Sequence, residues 1–442
     1  MRGGDRAGDL DSFVGIYFVG GRVNASGRRQ GENVNVAVIG AQWGDEGKGK
    51  IVDYLAGDAR LIVRFSGGAN AGHTIVLGGE QYALHLVPSG ILYPDKTVIL
   101  GTGMVIDPEA LFVELSGLEA KGFDWKGRVL ISDRAHLVLP SYRKIDKEMD
   151  AARKRPIGVT GRGIGVTYSA KASRDGVRIA DLSDPARLEN LSEEDRSWLA
   201  QWVEALAPMS VDLVPYLRSH RNAYTLFEGA QGALLDLDTG TYPYVSSGMS
   251  GAAGVAAQGG IGPRAIDKIL GVFKAYSTRV GNGPFPTEFN PASQSALDSY
   301  IRETGREYGV TTGRPRRCGY LDLVALRYAA AANSIDRLVL THLDVYDELA
   351  EFEACVAYRI RGRLVEDFPA SVADLECAEP VLRKFRGWKT PIGAIRAYDE
   401  LPREARDYVT FIEEYTETPV GMVSVGSDRN ATIVRESPWT RS

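Results

Sequence analysis

Residues 34–50 read VNVAVIGAQWGDEGKGK. An apolar, β-branched run leads into a glycine loop with two lysines, and an amphipathic stretch, KIVDYLA (50–56), follows. Strand, glycine loop and helix in that order is the layout of a phosphate-binding loop, where open N–H groups at a helix start hold an anion. The stretch departs from G-x-x-x-x-G-K-[ST] in two places. Gln42 stands where the first glycine belongs, and Gly49 stands where the magnesium-holding Ser or Thr belongs. In their place the loop carries two acids, Asp45 and Glu46. A carboxylate beside phosphate-binding N–H groups is not there to touch phosphate. It can hold Mg²⁺, it can take a proton from a second substrate, or it can be a solvated acidic turn.

Six further apolar runs resemble the first: RLIVRFS (60–66), KTVILG (96–101), RVLIS (128–132), YTLFEG (224–229), KILGVFKAYS (268–277) and DRLVLTHLD (336–344). Most lack polar alternation, the pattern of strands buried on both faces of a parallel sheet. Helical patterns lie between them, as in PEALFVELSGLEAKG (108–122) and SALDSYIRETGREYG (295–309). The alternation predicts an α/β fold: one large domain, residues 33–442, around a mainly parallel sheet, with a peripheral helical segment over 183–220. Residues 1–32 are Gly/Arg-rich and predict a poorly ordered N-terminal extension. The short apolar run FVGIYFVGG (13–21) follows Asp9 and Asp11, which does not suit a signal peptide.

Composition narrows the function classes. The chain has 442 residues, 44% hydrophobic and 25% charged, as in an ordinary globular protein. A net charge of −5 without a basic block argues against a broad nucleic-acid face. No apolar run has the length of a membrane span. The three cysteines, Cys318, Cys355 and Cys377, are odd in number and far apart, so a disulfide framework is not expected and a reducing cytoplasm fits.

Ligands of open α/β sheets bind beyond the carboxyl ends of the strands, and the informative loops follow predicted strands. SGGANAGHT (66–74) places His73 among glycines, a general-acid candidate or an idle histidine. IGVTGRGIGVTYSAKASRDG (157–176) is rich in glycine and hydroxyls. FEGAQGALLDLDTGTYPYVSS (227–247) offers Gln231, an amide for a base edge or an oxyanion. GVTTGRPRR (309–317) sets arginines after two threonines, which suits a small carboxylate or phosphate. In THLDVYD (341–347), Asp344 can accept both N1–H and N2–H₂ of guanine, or be a plain strand-end acid.

Taken together, the segments QWGDEGKGKIVD, GGANAGHT, HLVPSGIL, TGRGIG, FEGAQG with LLDLDTGTYPYV, KAYSTRVGNGPFPTE, TTGRPRR with GYLD, and LTHLDVYD closely resemble the adenylosuccinate synthetase family. They run in order along nearly the whole chain except its first 32 residues. The resemblance implies a GTP-dependent ligase of AMP biosynthesis that joins L-aspartate to IMP through 6-phosphoryl-IMP, with Mg²⁺. It implies Asp45 as the base that takes the N1 proton of IMP, His73 as general acid, Lys48 against the transferring phosphoryl group, and Gln231 beside them. Asp45 and the carbonyl of Gly72 would hold Mg²⁺. GTP would contact Gly44, Asp45, Glu46, Gly47, Lys48, Gly49, Gly72, His73, Thr74 and Arg316. Its guanine would meet His342, Leu343, Asp344, Ser424, Val425 and Gly426. IMP would contact Asn70, Thr160, Gln231, Ser246, Val280 and Arg314. Arg174 would reach across a homodimer interface. Aspartate would lie on Val310, Thr311, Thr312, Gly313 and Arg314.

Several positions depart from the family's usual residues. His342 stands where lysine is usual, Ser246 and Val159 where threonine is usual, and Pro315 interrupts an arginine run. Two other readings follow from that drift: a paralogue acting on another 6-oxopurine nucleotide such as (d)GMP, or a non-catalytic GTP-binding protein on the same scaffold.

Overall fold

All seven apolar runs become strands of one central sheet. The computed structural model describes residues 34–309 and 313–440, so the expectation for residues 1–32 lies outside the described residues. The sheet's eleven strands are β1 (Asn35–Gly40), β2 (Leu61–Gly67), β3 (Thr97–Ile106), β4 (Val129–Ser132), β5 (His136–Leu137), β6 (Ser210–Val211), β7 (Thr225–Glu228), β8 (Lys268–Lys274), β9 (Arg337–Thr341), β10 (Val420–Ser424) and β11 (Thr432–Val434). Their order is β11-β10-β9-β8-β1-β7-β2-β3-β4-β6, with β5 beside β3. The paired strands run parallel except at the β10–β11 edge.

Both faces of the sheet are covered, which is why the runs lack polar alternation. Along β1, Ala37 and Ile39 enter one apolar cluster while Val36 and Val38 enter another. All four are fully buried. Each buried valine or isoleucine contributes about 1.5–3 kcal/mol.

The order of strands locates the site. From β1 the chain moves outward through β2, β3, β4 and β6. It then returns to lay β7 between β1 and β2 and moves the other way through β8, β9 and β10. The direction reverses at β1 and β7. The loops leaving the carboxyl ends there splay apart and leave a crevice.

Helix α1 (Lys48–Ala56) begins directly after the glycine loop. Helix α2 (Pro108–Ala120) is started by Asp107, whose carboxylate accepts from Ala110 N at 3.2 Å, with proline in the first turn. The stretch 183–220 forms four short helices, and Trp202 stacks on Phe112 of α2 at 5.5 Å. Two elements end earlier than their patterns suggested. The helix from Ser295 stops at Thr304, before Gly305, and the strand from Lys268 stops at Lys274. Beyond Lys274, Ser277–Arg279 pairs instead with Arg317–Gly319, which draws the arginine loop over the crevice. Among the described residues no helix is long and apolar enough to cross a membrane.

Candidate active site

The two adjacent acids of the glycine loop have separate tasks. Glu46 is fully buried and lies inside the loop. Its Oε1 accepts from Gln42 N at 3.2 Å and Gly44 N at 2.8 Å, and its Oε2 accepts from Lys48 Nζ at 2.6 Å. The carboxylate satisfies the loop's own N–H groups, which would otherwise be buried without partners, so only the backbone of Glu46 is left for a nucleotide. Its space exists because residue 40 is glycine, since a Cβ there would collide with the Glu46 carboxylate. Asp45 instead faces the crevice with its side chain about one-third exposed, and its Oδ2 forms an ion pair with Arg316 Nε at 2.8 Å.

The two departures from the phosphate-loop pattern also have structural causes. Gln42 ties the loop to β8: its Nε2 donates to Tyr276 O at 3.1 Å, and its Oε1 accepts from Lys274 N at 3.0 Å. A Cβ on residue 49 would lie 3.0 Å from the Cβ of His73, so glycine lets the histidine loop press against the first turn of α1. Gly47 precedes α1 without a side-chain cap, and the first turn holds no acid. The helix N–H groups there remain available to an anion.

His73 is buried, with Nδ1 2.6 Å from Glu228 Oε1. Glu228 ends β7, and the register sets it between Val38 of β1 and Arg64 of β2. Ser89 donates to it through N at 2.9 Å and through Oγ at 3.1 Å. Burial would raise the Glu228 carboxyl, but His73, the Arg64 guanidinium and Ser89 outweigh it and hold the group below its ordinary range. Facing a carboxylate, Nδ1 carries hydrogen in either state of the ring, which leaves Nε2 for the crevice. Sequence reasoning missed Glu228. The residue stands in plain view in FEGAQG, but 155 positions separate it from its partner.

A cavity of about 860 Å³ collects most of the predicted residues, though Glu46, Gly313 and Arg314 do not line it. Gly44, Asp45, Gly47, Lys48 and Gly49 line it from the phosphate loop, Asn70 and Gly72 from the loop after β2, and His73 and Thr74 from the start of the strand His73–Leu77 that follows. Thr160, Gln231, Ser246 and Val280 form a second wall. At the other end lie His342, Asp344, Ser424 and Gly426, after β9 and β10. Leu343 and Val425 have fully buried side chains that point into the apolar core, so only their backbone is left for a ligand. Val310, Thr311 and Thr312 lie outside the described residues. Gly313 N donates to Gly309 O at 2.7 Å, and Gly309 N donates to Arg314 O at 2.8 Å, which closes the stem around that segment. Arg174 is exposed at the C-terminus of α3 (Ile164–Ser173), with φ 75°, and does not line the cavity of its own chain.

Lys50, the second lysine of the glycine loop, is held by the opposite wall. Its ammonium donates to Ser424 Oγ at 2.6 Å, Gly426 O at 2.7 Å and Ala431 O at 2.8 Å. All three donors are thus spent on the wall after β10 rather than on phosphate, and burial brings the amine down to about 8. Burial raises Asp344, which faces Lys50. His342, in a left-handed turn at φ 56°, packs edge-on to Tyr276 at 5.8 Å. Burial, then the nearby Lys274 ammonium, lower its imidazole to about 4, so the ring is neutral at pH 7. A lysine at 342 would bring a second ammonium toward Lys274.

Among the described residues no three His, Cys, Asp or Glu side chains converge as a metal cage. The donors present still fit Mg²⁺. That ion commonly takes one or two carboxylates and completes its shell with substrate phosphates and water. Asp45 and Gly72 lie on the same cavity as the phosphate loop.

The family model of adenylosuccinate synthetase matches residues 37–433. The adenylosuccinate synthetase of Nostoc sp. is 46% identical over 429 residues, covering 91% of this chain and 95% of its own. That of Moorella thermoacetica is 46% identical over 429 residues, covering 91% and 99%. In three dimensions, the fully ligated adenylosuccinate synthetase from Plasmodium falciparum superposes with a TM-score of 0.84 at 39% identity, covering 91% of this chain and 100% of that one. A cyanophage S-2L succinoaminodeoxyadenylate synthetase bound to dGMP and dATP superposes with a TM-score of 0.61 at 20% identity over 92% of this chain and 97% of that one, a likeness of fold alone.

Proposed function

The chain belongs to the adenylosuccinate synthetase family and is a ligase of that type, and from that premise we propose how its cavity joins L-aspartate to IMP at the expense of GTP. The observation that carries the reading is the meeting of a half-buried carboxylate that faces the crevice, Asp45, with the open start of α1 and with His73 in one cavity. Asp45 takes the N1 proton of IMP, and O6 attacks the γ-phosphorus of GTP. The bond from that phosphorus to the β–γ bridging oxygen breaks, and His73 hydrogen-bonds or protonates the departing GDP. Lys48 and the first-turn N–H groups of α1 offset charge on the transferring group. The aspartate amine then attacks C6 of 6-phosphoryl-IMP, and phosphate leaves with the O6 oxygen. Mg²⁺, when bound, neutralises charge on the phosphates, with Asp45 and Gly72 as the protein's ligands.

Asp344, Lys50 and Ser424 lie together at the far end of the cavity, which supports placing guanine there. Asn70, Thr160, Gln231, Ser246 and Val280 suit IMP. Gly313 and Arg314, with the preceding segment 310–312, suit aspartate, and Arg316 suits GTP.

The reading is tested by phosphate release from GTP with Mg²⁺, with and without aspartate, and with IMP or dGMP as acceptor. Release that requires both IMP and aspartate is expected. Release with dGMP but not IMP would redirect the acceptor, and no release with either would overturn the ligase.

We also propose a homodimer that shares its sites. Arg174, exposed and away from its own cavity, would complete the IMP site of a second copy. Arg174→Leu and Asp45→Asn proteins, each inactive alone, should regain activity on mixing. Random pairing of a two-fold dimer leaves roughly a quarter of all sites intact. No recovery, with mixed dimers confirmed, would refute the shared site.

A further inference from the structure

The charged groups around Arg316 form a chain whose buried inner members, Glu307, Lys274 and Tyr276, the reaction as described does not use. Arg316 reaches Asp45 through Nε at 2.8 Å and Glu307 Oε2 through Nη1 at 2.9 Å. The other oxygen of Glu307, Oε1, accepts from Lys274 Nζ at 2.5 Å and from Tyr276 Oη at 2.5 Å. Tyr276 Oη lies 3.4 Å from His342 Nδ1. Glu307, Lys274 and Tyr276 are completely or almost completely buried. The backbone of Glu307 is engaged as well, since its carbonyl accepts from Arg316 N at 2.9 Å and closes the stem of segment 307–316.

We propose that Glu307 is a positioning residue for the ligase, one carboxylate that holds Arg316 over Asp45 and fixes Tyr276 against His342, tying the arginine loop to the guanine wall. The inference rests on the ligase reading above. Arg316 has a strong reason to stay when Asp45 turns to substrate, because Glu307 keeps a charge-assisted bond to it. Burial would raise the Glu307 carboxyl, but Lys274, His342 and Arg316 outweigh it and hold the group down at about 2, so it keeps its charge throughout the working range. On the guanine side, Tyr276 gives its only hydrogen to Glu307. Toward His342 it can then only accept, which turns Nδ1–H to the phenol and leaves Nε2 as the ring's acceptor. Two substrate regions therefore depend on a residue that lines neither.

The test separates positioning from a general structural role by the pattern of kinetic constants. In Glu307→Gln the KM for aspartate should rise about tenfold or more, the KM for GTP about threefold or more, and kcat should fall, with the KM for IMP within about twofold of wild type. Because Lys274 then loses its buried partner, the double variant Lys274→Met/Glu307→Gln is made beside it, with folding checked by thermal unfolding. It should show the same split. Tyr276→Phe removes the donor on the guanine side alone, and should raise the KM for GTP about threefold or more while leaving that for aspartate within about twofold. Unchanged constants in the folded Glu307 variants, or an equal rise in all three KM values, would overturn the proposal. No phosphate release by the wild type overturns the ligase reading and this proposal with it. Release by the wild type with normal constants in Glu307→Gln overturns this proposal alone.

Discussion

Asp45→Asn should lower IMP- and aspartate-dependent phosphate release by about 10²- to 10⁴-fold, the range of a general base, while leaving GTP binding nearly intact. The substitution is a clean one for this site. Asp45 sits at φ 57°, in the left-handed region, and asparagine is among the side chains that tolerate it. The loop is held by Glu46, Gln42 and the Thr341 hydroxyl, which donates to Glu46 O at 2.6 Å, and none of these depends on the charge at residue 45. The phosphate-facing start of α1 and Lys48 therefore stay in place. The amide cannot take a proton, and it surrenders the ion pair to Arg316, which Glu307 still holds. Steady-state phosphate release and calorimetric titration with GTP check the two halves. Turnover near that of the wild type would remove Asp45 as the base.

His73→Asn should lower turnover by about 10²- to 10³-fold, the loss seen when a preorganised donor to a developing charge is removed. Asparagine can still satisfy Glu228, so the fold should hold while the donor aimed at the cavity is lost. Glu228→Gln should act in the same direction and more weakly, because the ring remains but its cationic form loses its counter-charge. That variant carries a second cost. Arg64 is fully buried, its guanidinium donates to the carbonyls of His85 and Gly68, and Glu228 is a nearby countercharge. Taking that charge away leaves a buried cation less compensated, so Glu228→Gln should also unfold at a lower temperature than His73→Asn. A His73→Asn enzyme with unimpaired turnover would refute the general acid, and equal melting temperatures would refute the Arg64–Glu228 coupling.

Much of this was written in local sequence. A strand buried on both faces is mostly apolar, so seven of the sheet's eleven strands were visible as unbroken runs, and the loops after them could be searched for chemistry. The phosphate loop, His73, Gln231 and Asp344 were legible because glycine and polar residues after such runs have little else to do. The quoted motifs sufficed for the family.

What local sequence could not decide was which way each side chain faces and whom it meets. Asp45 and Glu46 are neighbours of the same charge, yet one opens onto the cavity and the other closes the loop from within. The space left by Gly40 and Gly232 takes in Glu46 alone. Gly49 looks like a lost magnesium ligand until His73, from another loop, is seen packed against it. Glu228 finds His73, and Glu307 finds Lys274 and Tyr276, through the order in which strands are laid side by side. Strand-forming tendency is set by a residue's own side chain and its near neighbours, and it survives in the linear chain. Partnerships between charges depend on distances that exist only once the sheet has brought the ends of β1, β7, β2, β8 and β9 together and removed the water between them.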